Sequence, residues 1–66
     1  MEKYIVKSQT GEVVAGLYAP ISTFESAASY ANAVVFSAQF PDITEATVVE
    51  VDAYGNERTV YTREAA

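Results

Sequence analysis

The chain contains no cysteine, histidine or tryptophan, and these gaps remove whole classes of chemistry. Without cysteine there is no disulfide staple and no thiolate metal site. Without histidine as well, the usual ligand sets for zinc, haem and non-haem iron are missing. The same two gaps rule out Ser-His-Asp and Cys-His nucleophilic catalysis. Three scattered glycines, Gly11, Gly16 and Gly55, build no phosphate-cradling loop. No apolar run approaches the roughly 20 residues needed to cross a bilayer, and the start MEKYIVK lacks the h-region and cleavage site of a signal peptide. The expectation is a soluble, unprocessed, cytoplasmic protein without cofactor or metal. Positive charge is scarce: four basic residues face nine acidic ones, for a net charge of −5. That balance argues against a phosphate backbone or an anionic membrane as a direct partner and favours a basic protein surface.

What is present is one small α+β domain. A chain of 66 residues buries only about 60 % of its unfolded surface and is marginal unless stapled or oligomeric. The segment Ser22 to Gln39, STFESAASYANAVVFSAQ, is the one stretch long and periodic enough to be a helix. Ser22 with Glu25 three positions on reads as a capping box. At about 100° per residue, Phe24, Ala27, Ala28, Ala31, Val34, Val35 and Ala38 fall on one stripe. Pro41 biases Phe40 to an extended conformation and so ends the helix at or just before it.

The flanking segments read as strands. Lys3 to Ser8 places Tyr4 and Val6 on one face and Lys3, Ile5 and Lys7 on the other, and Glu12 to Tyr18 returns after the turn at Gln9, Thr10 and Gly11. Gly16 within that return suggests a bulge or a close approach of the helix. Thr47 to Ala53 alternates, with Thr47, Val49 and Val51 expected in the core and Val48, Glu50 and Asp52 expected outside. Glu57 to Arg63 follows the turn at Tyr54, Gly55 and Asn56, and Glu64, Ala65 and Ala66 are expected to fray. Two hairpins around a helix give ββαββ, a four-stranded antiparallel sheet with one face covered. The order 2-1-3-4 would place Lys3 and Lys7 on the open face with Glu50 and Asp52, and Arg58 near Asp52, so that opposite charges pair across strands. The orders 1-2-4-3 and 1-2-3-4 stay open. Ile5, Val48 and Val60 would then form an apolar strip on the open face, which suits a homodimeric accessory subunit.

Few residues carry a functional signal. Glu50 and Asp52 are a same-face carboxylate pair, but beside lysines they read as structural rather than catalytic. Asp52, Asn56 and Glu57 do not meet the EF-hand pattern, and a turn explains them better. Five tyrosines could stack bases, yet Lys3, Lys7, Arg58 and Arg63 are too few to hold phosphates, so an interface role, with Tyr54 at a turn tip, fits better. Phe36 lies roughly 120° around the helix from Phe24, among polar positions, as an aromatic anchor for a partner would.

The YIVK first strand, the single helix and the closing TVVEVDAYGNERTVYTR hairpin resemble small phage-encoded proteins, including some anti-CRISPR inhibitors that place one helix on an antiparallel sheet. The resemblance implies a non-enzymatic inhibitor that occupies a basic surface of a host protein or ribonucleoprotein complex in the host cytoplasm. Glu45, Glu50, Asp52 and Glu57 are then candidate phosphate mimics, with Phe36 and Tyr54 as aromatic contacts.

Overall fold

The computed structural model describes residues 3–65. Its elements are β1 (Lys3–Ser8), β2 (Val13–Ala15), α1 (Phe24–Val35), β3 (Glu45–Val51) and β4 (Glu57–Glu64). The strands form one antiparallel sheet in the order β2-β1-β3-β4, with α1 packed on one face over β1, β3 and β4. The ββαββ layout and the order 2-1-3-4 are therefore as the sequence suggested, and β1 has the expected bounds.

The register differs from expectation where two valines are adjacent. In β3, Val48 stands opposite Val6 and lies fully buried under α1, whereas Val49 stands opposite Ile5 on the open face. The expected faces of β3 are thus reversed. The run TVVEV satisfies a period of two in either phase, so only pairing with β1 decides which valine turns inward. The helix-side core joins Val6, Val48 and Ala46 to Ala27, Ala31 and Val35 of α1 and to Ile21. Burying each valine stabilises the fold by about 1.5–3 kcal/mol.

Both edge strands carry a bulge. Val14 is the extra residue between the pairs Val6↔Ala15 and Lys7↔Val13, and Val60 is the extra residue between Val48↔Tyr61 and Val49↔Thr59. Each bulge brings two consecutive side chains, Val14 with Ala15 and Val60 with Tyr61, against the helix-side core. Bulged edges also pair poorly with another chain.

The helix is shorter than its periodic stretch. Tyr4 N–H donates to Ile21 C=O at 2.9 Å, so the chain is still pairing with β1 at Ile21. Thr23, extended at φ −127° and ψ 147°, is the N-cap, and its side chain accepts from Ser26 N–H. In place of the capping box expected at Ser22 and Glu25, a single N-cap bond forms one residue later. The helix closes at Phe36, well before Pro41, because two successive turns, Phe40 N–H to Ser37 C=O and Ile43 N–H to Phe40 C=O, take over the chain. Ala38 is exposed in consequence, and Phe24 is only partly covered, stacked edge-on against Tyr4 and Tyr61 with centroids 6.2 and 6.0 Å away.

Two further expectations change. Strand β2 keeps only Val13–Ala15 of the expected Glu12 to Tyr18. Gly16 makes a close approach to the β1 backbone rather than to the helix, at φ +94°. Glu64 is not frayed but ends β4, and Ala65 N–H donates to Thr44 C=O at 2.9 Å; Ala66 lies outside the described residues, as do Met1 and Glu2. Among the described residues, no helix is long and apolar enough to cross a membrane.

Candidate interaction surface

Antiparallel pairing sorts the sequence-derived site residues to opposite ends of the sheet. Glu50, Asp52, Tyr54 and Glu57 cluster around the β3–β4 turn. Glu45 lies at the other end, where β3 starts, and Phe36 lies there too, because α1 runs toward that end and its closing residue meets Arg63 near the end of β4. The six positions do not form one surface.

At the turn end the carboxylates are engaged within the chain. Glu50 Oε1 accepts from Arg58 at 2.9 Å, and its other oxygen lies 3.5 Å from the Tyr4 hydroxyl. Glu57 accepts from Lys7 Nζ at 2.8 Å. Lys7 stands opposite Thr47 and Glu57 opposite Val51, so this ion pair reaches diagonally across β3 at the level of Val49. The pairing expected of Lys3 and Lys7 with Glu50 and Asp52 does not form, because Glu50 turns to the helix side with Tyr4.

Asp52 organises the turn itself. Its Oδ1 accepts from the backbone N–H of Tyr54 at 2.8 Å and of Asn56 at 2.9 Å, and its Oδ2 accepts from the Asn56 amide at 3.2 Å. The Asn56 N–H first, then that of Tyr54, hold the Asp52 carboxyl below its ordinary value, against a small opposing effect of burial. Tyr54 projects from this turn 91 % exposed.

The open face is already closed over. Ile5, Val49 and Val51 form a second small core with Val13, and each is at most 9 % exposed. Lys7 and Glu57 span this face, the lysine stem covering apolar surface while its charge reaches the carboxylate. The apolar strip expected from Ile5, Val48 and Val60 is not present: Val48 is buried on the helix side, and Val60 packs against the same core.

The other end is rich in carboxylates, with Arg63 among them. Glu12 in the β1–β2 turn, Asp42 before β3, Glu45 at the start of β3 and Glu64 at the end of β4 all lie there, and none of their carboxylates forms an ion pair among the described residues. Glu45 stands directly opposite Glu64. Like charges so placed destabilise a sheet. The bulge at Val60 is responsible, because regular pairing outward from Val51↔Glu57 would have set Glu45 against Arg63. With the extra residue, Arg63 faces Ala46 instead and its guanidinium lies over the Phe36 ring, 5.0 Å from the centroid. The last turn of α1 has no basic residue of its own, and its negative pole at this end meets Arg63 of β4, whose guanidinium lies over the ring of the C-cap residue Phe36. Gln9 braces it, donating to Asp42 C=O at 2.7 Å and accepting from Thr44 N–H at 3.2 Å.

Sequence reasoning missed Glu12, Asp42 and Glu64 at this surface. Counting outward from the turn locates Glu64 near Glu45, but only the bulge makes them face each other. It also read Leu17 and Tyr18 as strand, whereas they lie in an exposed loop between Ala15 and Ile21. A scan against protein-family models, a search of curated proteins and a search of solved structures each returned no significant match.

Proposed function

We propose that the chain is a non-enzymatic interaction module that occludes a basic, nucleic-acid-handling surface of a host protein or ribonucleoprotein, as an inhibitor of that partner. The observation that carries this reading is the end whose carboxylates are unpaired among the described residues, above all Glu45 facing Glu64. A like-charge cross-strand pair costs the fold stability, and local rules of this kind are broken where a site needs the offending groups. Carboxylates on a rigid sheet end suit a surface that ordinarily holds phosphates, and they steer a basic partner over several ångströms at low salt. Phe36, at the same end of the sheet but on the helix side with the Arg63 guanidinium over its ring, supplies an exposed apolar contact of the kind that dominates binding energy. Glu50, Asp52 and Glu57 are committed to internal partners and have a structural role in this reading.

The test is capture from bacterial lysate on the tagged protein, run in parallel with Glu45→Gln/Glu64→Gln, Phe36→Asp and Glu50→Gln/Glu57→Gln variants and eluted over a salt series. The proposal expects a stoichiometric partner that elutes with salt, is lost by the first two variants and is kept by the third. A partner lost only by the third variant, or a salt-insensitive one, would overturn it.

A further inference from the structure

The outer half of β4 is placed by a single extra residue. From Glu57 to Thr59 the strand pairs regularly with Val51 to Val49 of β3, and Val60 then stands unpaired before Tyr61 meets Val48. Without that extra residue the pairs would run Val60 with Val48, Tyr61 with Thr47, Thr62 with Ala46 and Arg63 with Glu45. A slip of one residue turns every side chain beyond it to the other face. Tyr61 and Arg63 would pass from the helix side to the open face, and Thr62 and Glu64 the other way. The inner half of β4 and its turn serve both registers unchanged. Because β4 is an edge strand paired with β3 alone, no other strand has to move.

The contacts that hold the present register are few. Tyr61 sets its ring edge-on to Phe24 at 6.0 Å and donates its hydroxyl to Asn32 Oδ1 at 3.2 Å. The Arg63 guanidinium lies 5.0 Å from the centroid of Phe36, a ring that is itself 60 % exposed. Ala65 N–H reaches Thr44 C=O, while Thr62, Arg63 and Glu64 are exposed. Against these contacts stands the repulsion between Glu45 and Glu64 on opposite strands. The slipped register replaces that repulsion with a Glu45–Arg63 ion pair and restores unbroken pairing. It keeps Val60, already packed against the helix-side core, opposite Val48. It gives up the contacts of Tyr61 and Arg63 on the helix side, and so it is the minor form.

We infer that the outer half of β4 exchanges between these two registers, with Arg63 held on Phe36 in the major form and drawn across to Glu45 in the minor one. Glu45 itself stays in place on β3. The slipped form holds about 0.1–10 % of the molecules, the range of a state only a few contacts less stable. The cation–π contact at Phe36 is the catch that keeps Arg63 away from Glu45. The exchange does not rest on the proposed function. Under that reading the minor form masks Glu45 with the chain's own arginine, and the major form is the one that binds.

Two measurements test it, both on the chain alone. In the unaltered protein, ¹⁵N relaxation dispersion should show exchange at Val60 to Ala65 and at Glu45 to Val48, and none at Glu57 to Thr59. Phe36→Leu should raise the minor population about two- to fivefold, the worth of an exposed cation–π contact. Cysteine pairs then distinguish a slip from fraying, and the chain has no cysteine of its own to interfere. Ala46→Cys/Thr62→Cys brings two thiols opposite each other on one face only in the slipped register. Ala46→Cys/Glu64→Cys would need a slip the other way, and fraying would join it at least as fast, because Glu64 lies farther out along the strand. Under mild oxidation the first pair should cross-link faster than the second. Thr47→Cys/Thr62→Cys, face to face in the major form, should close fastest of all. Far-UV circular dichroism verifies that each variant is folded. A flat dispersion profile, a minor population indifferent to Phe36→Leu, or a first pair no faster than the second would overturn the inference.

Discussion

Replacing Gly16 with alanine should be among the most damaging single-methyl changes in the chain. The glycine sits at φ +94°, a conformation that costs an L-residue about 1–2 kcal/mol. Its added Cβ would lie 2.6 Å from Tyr4 O and 3.0 Å from Ile5 Cα, both backbone atoms of the central strand β1. Neither can rotate away, so relief requires β2 to move off β1. That movement strains the Val6↔Ala15 pairing and the bond from Tyr4 N–H to Ile21 C=O. Overpacking of this kind costs about 1–3 kcal/mol, giving a total near 3–4 kcal/mol. A chain of 66 residues has only about 3–10 kcal/mol to lose. Gly55, at φ +84° with open space around it, provides the control, since Gly55→Ala has the conformational cost alone. The two variants should therefore differ by about 2 kcal/mol, or about 8–16 °C in melting temperature, measured by far-UV circular dichroism and checked by urea midpoints. Equal melting temperatures for Gly16→Ala and Gly55→Ala would refute the close approach to β1 and, with it, the fixed posture of the Leu17–Tyr18 loop.

Other consequences can be measured separately. The Asp52 carboxyl is held below its ordinary value near 3.8 in the folded state, so it contributes stability that is present above that pH and is lost as pH falls through the depressed folded value. Asp52→Asn should therefore narrow its stability gap to the wild type below about pH 4; a gap constant from pH 7 to pH 2 would remove the turn from the acid response. Glu64→Lys should relieve the repulsion from Glu45 and raise stability by a few tenths of a kcal/mol while weakening partner capture, the opposed signs expected where binding groups are kept at a cost to the fold. A variant that is both more stable and equally competent in capture would separate the like-charge pair from binding.

The architecture was legible in the sequence because helix and strand periods are well separated here. The bounds of β1 follow from KYIVKS, and ββαββ follows from one 3.6-residue stripe between two alternating hairpins. The strand order was right for a wrong reason: the charge pairing that favoured it assumed Glu50 on the open face, whereas Glu50 turns toward Tyr4 and Arg58. What escaped was set by single-residue shifts. Adjacent valines at 48 and 49 left the facing of β3 undetermined, and the bulges at Val14 and Val60 have no local signature, since they are fixed by packing against the helix-side core. The same shift at Val60 sets Glu45 against Glu64 where unbroken pairing from the turn would have set it against Arg63. Of the expected site residues, Phe36 and Glu45 lie at the end that carries this pair, whereas Glu50, Asp52, Tyr54 and Glu57 belong to the opposite one. Periodicity can identify an exposed phenylalanine at the helix terminus, but it cannot tell a carboxylate that will be paired from one that will not.

The central claim, that the end with unpaired carboxylates is the binding surface, is tested most directly by site-resolved ¹H–¹⁵N chemical-shift mapping of the wild-type protein during titration with its captured partner or, in its absence, an arginine-rich peptide. Binding at the acidic end predicts that the largest changes fall on Glu12, Phe36, Asp42 to Ala46 and Arg63 to Ala65, that they diminish with salt, and that Asp52 to Glu57 stay unmoved. Changes concentrated on the Asp52 to Glu57 turn, or spread evenly over both ends, would contradict it.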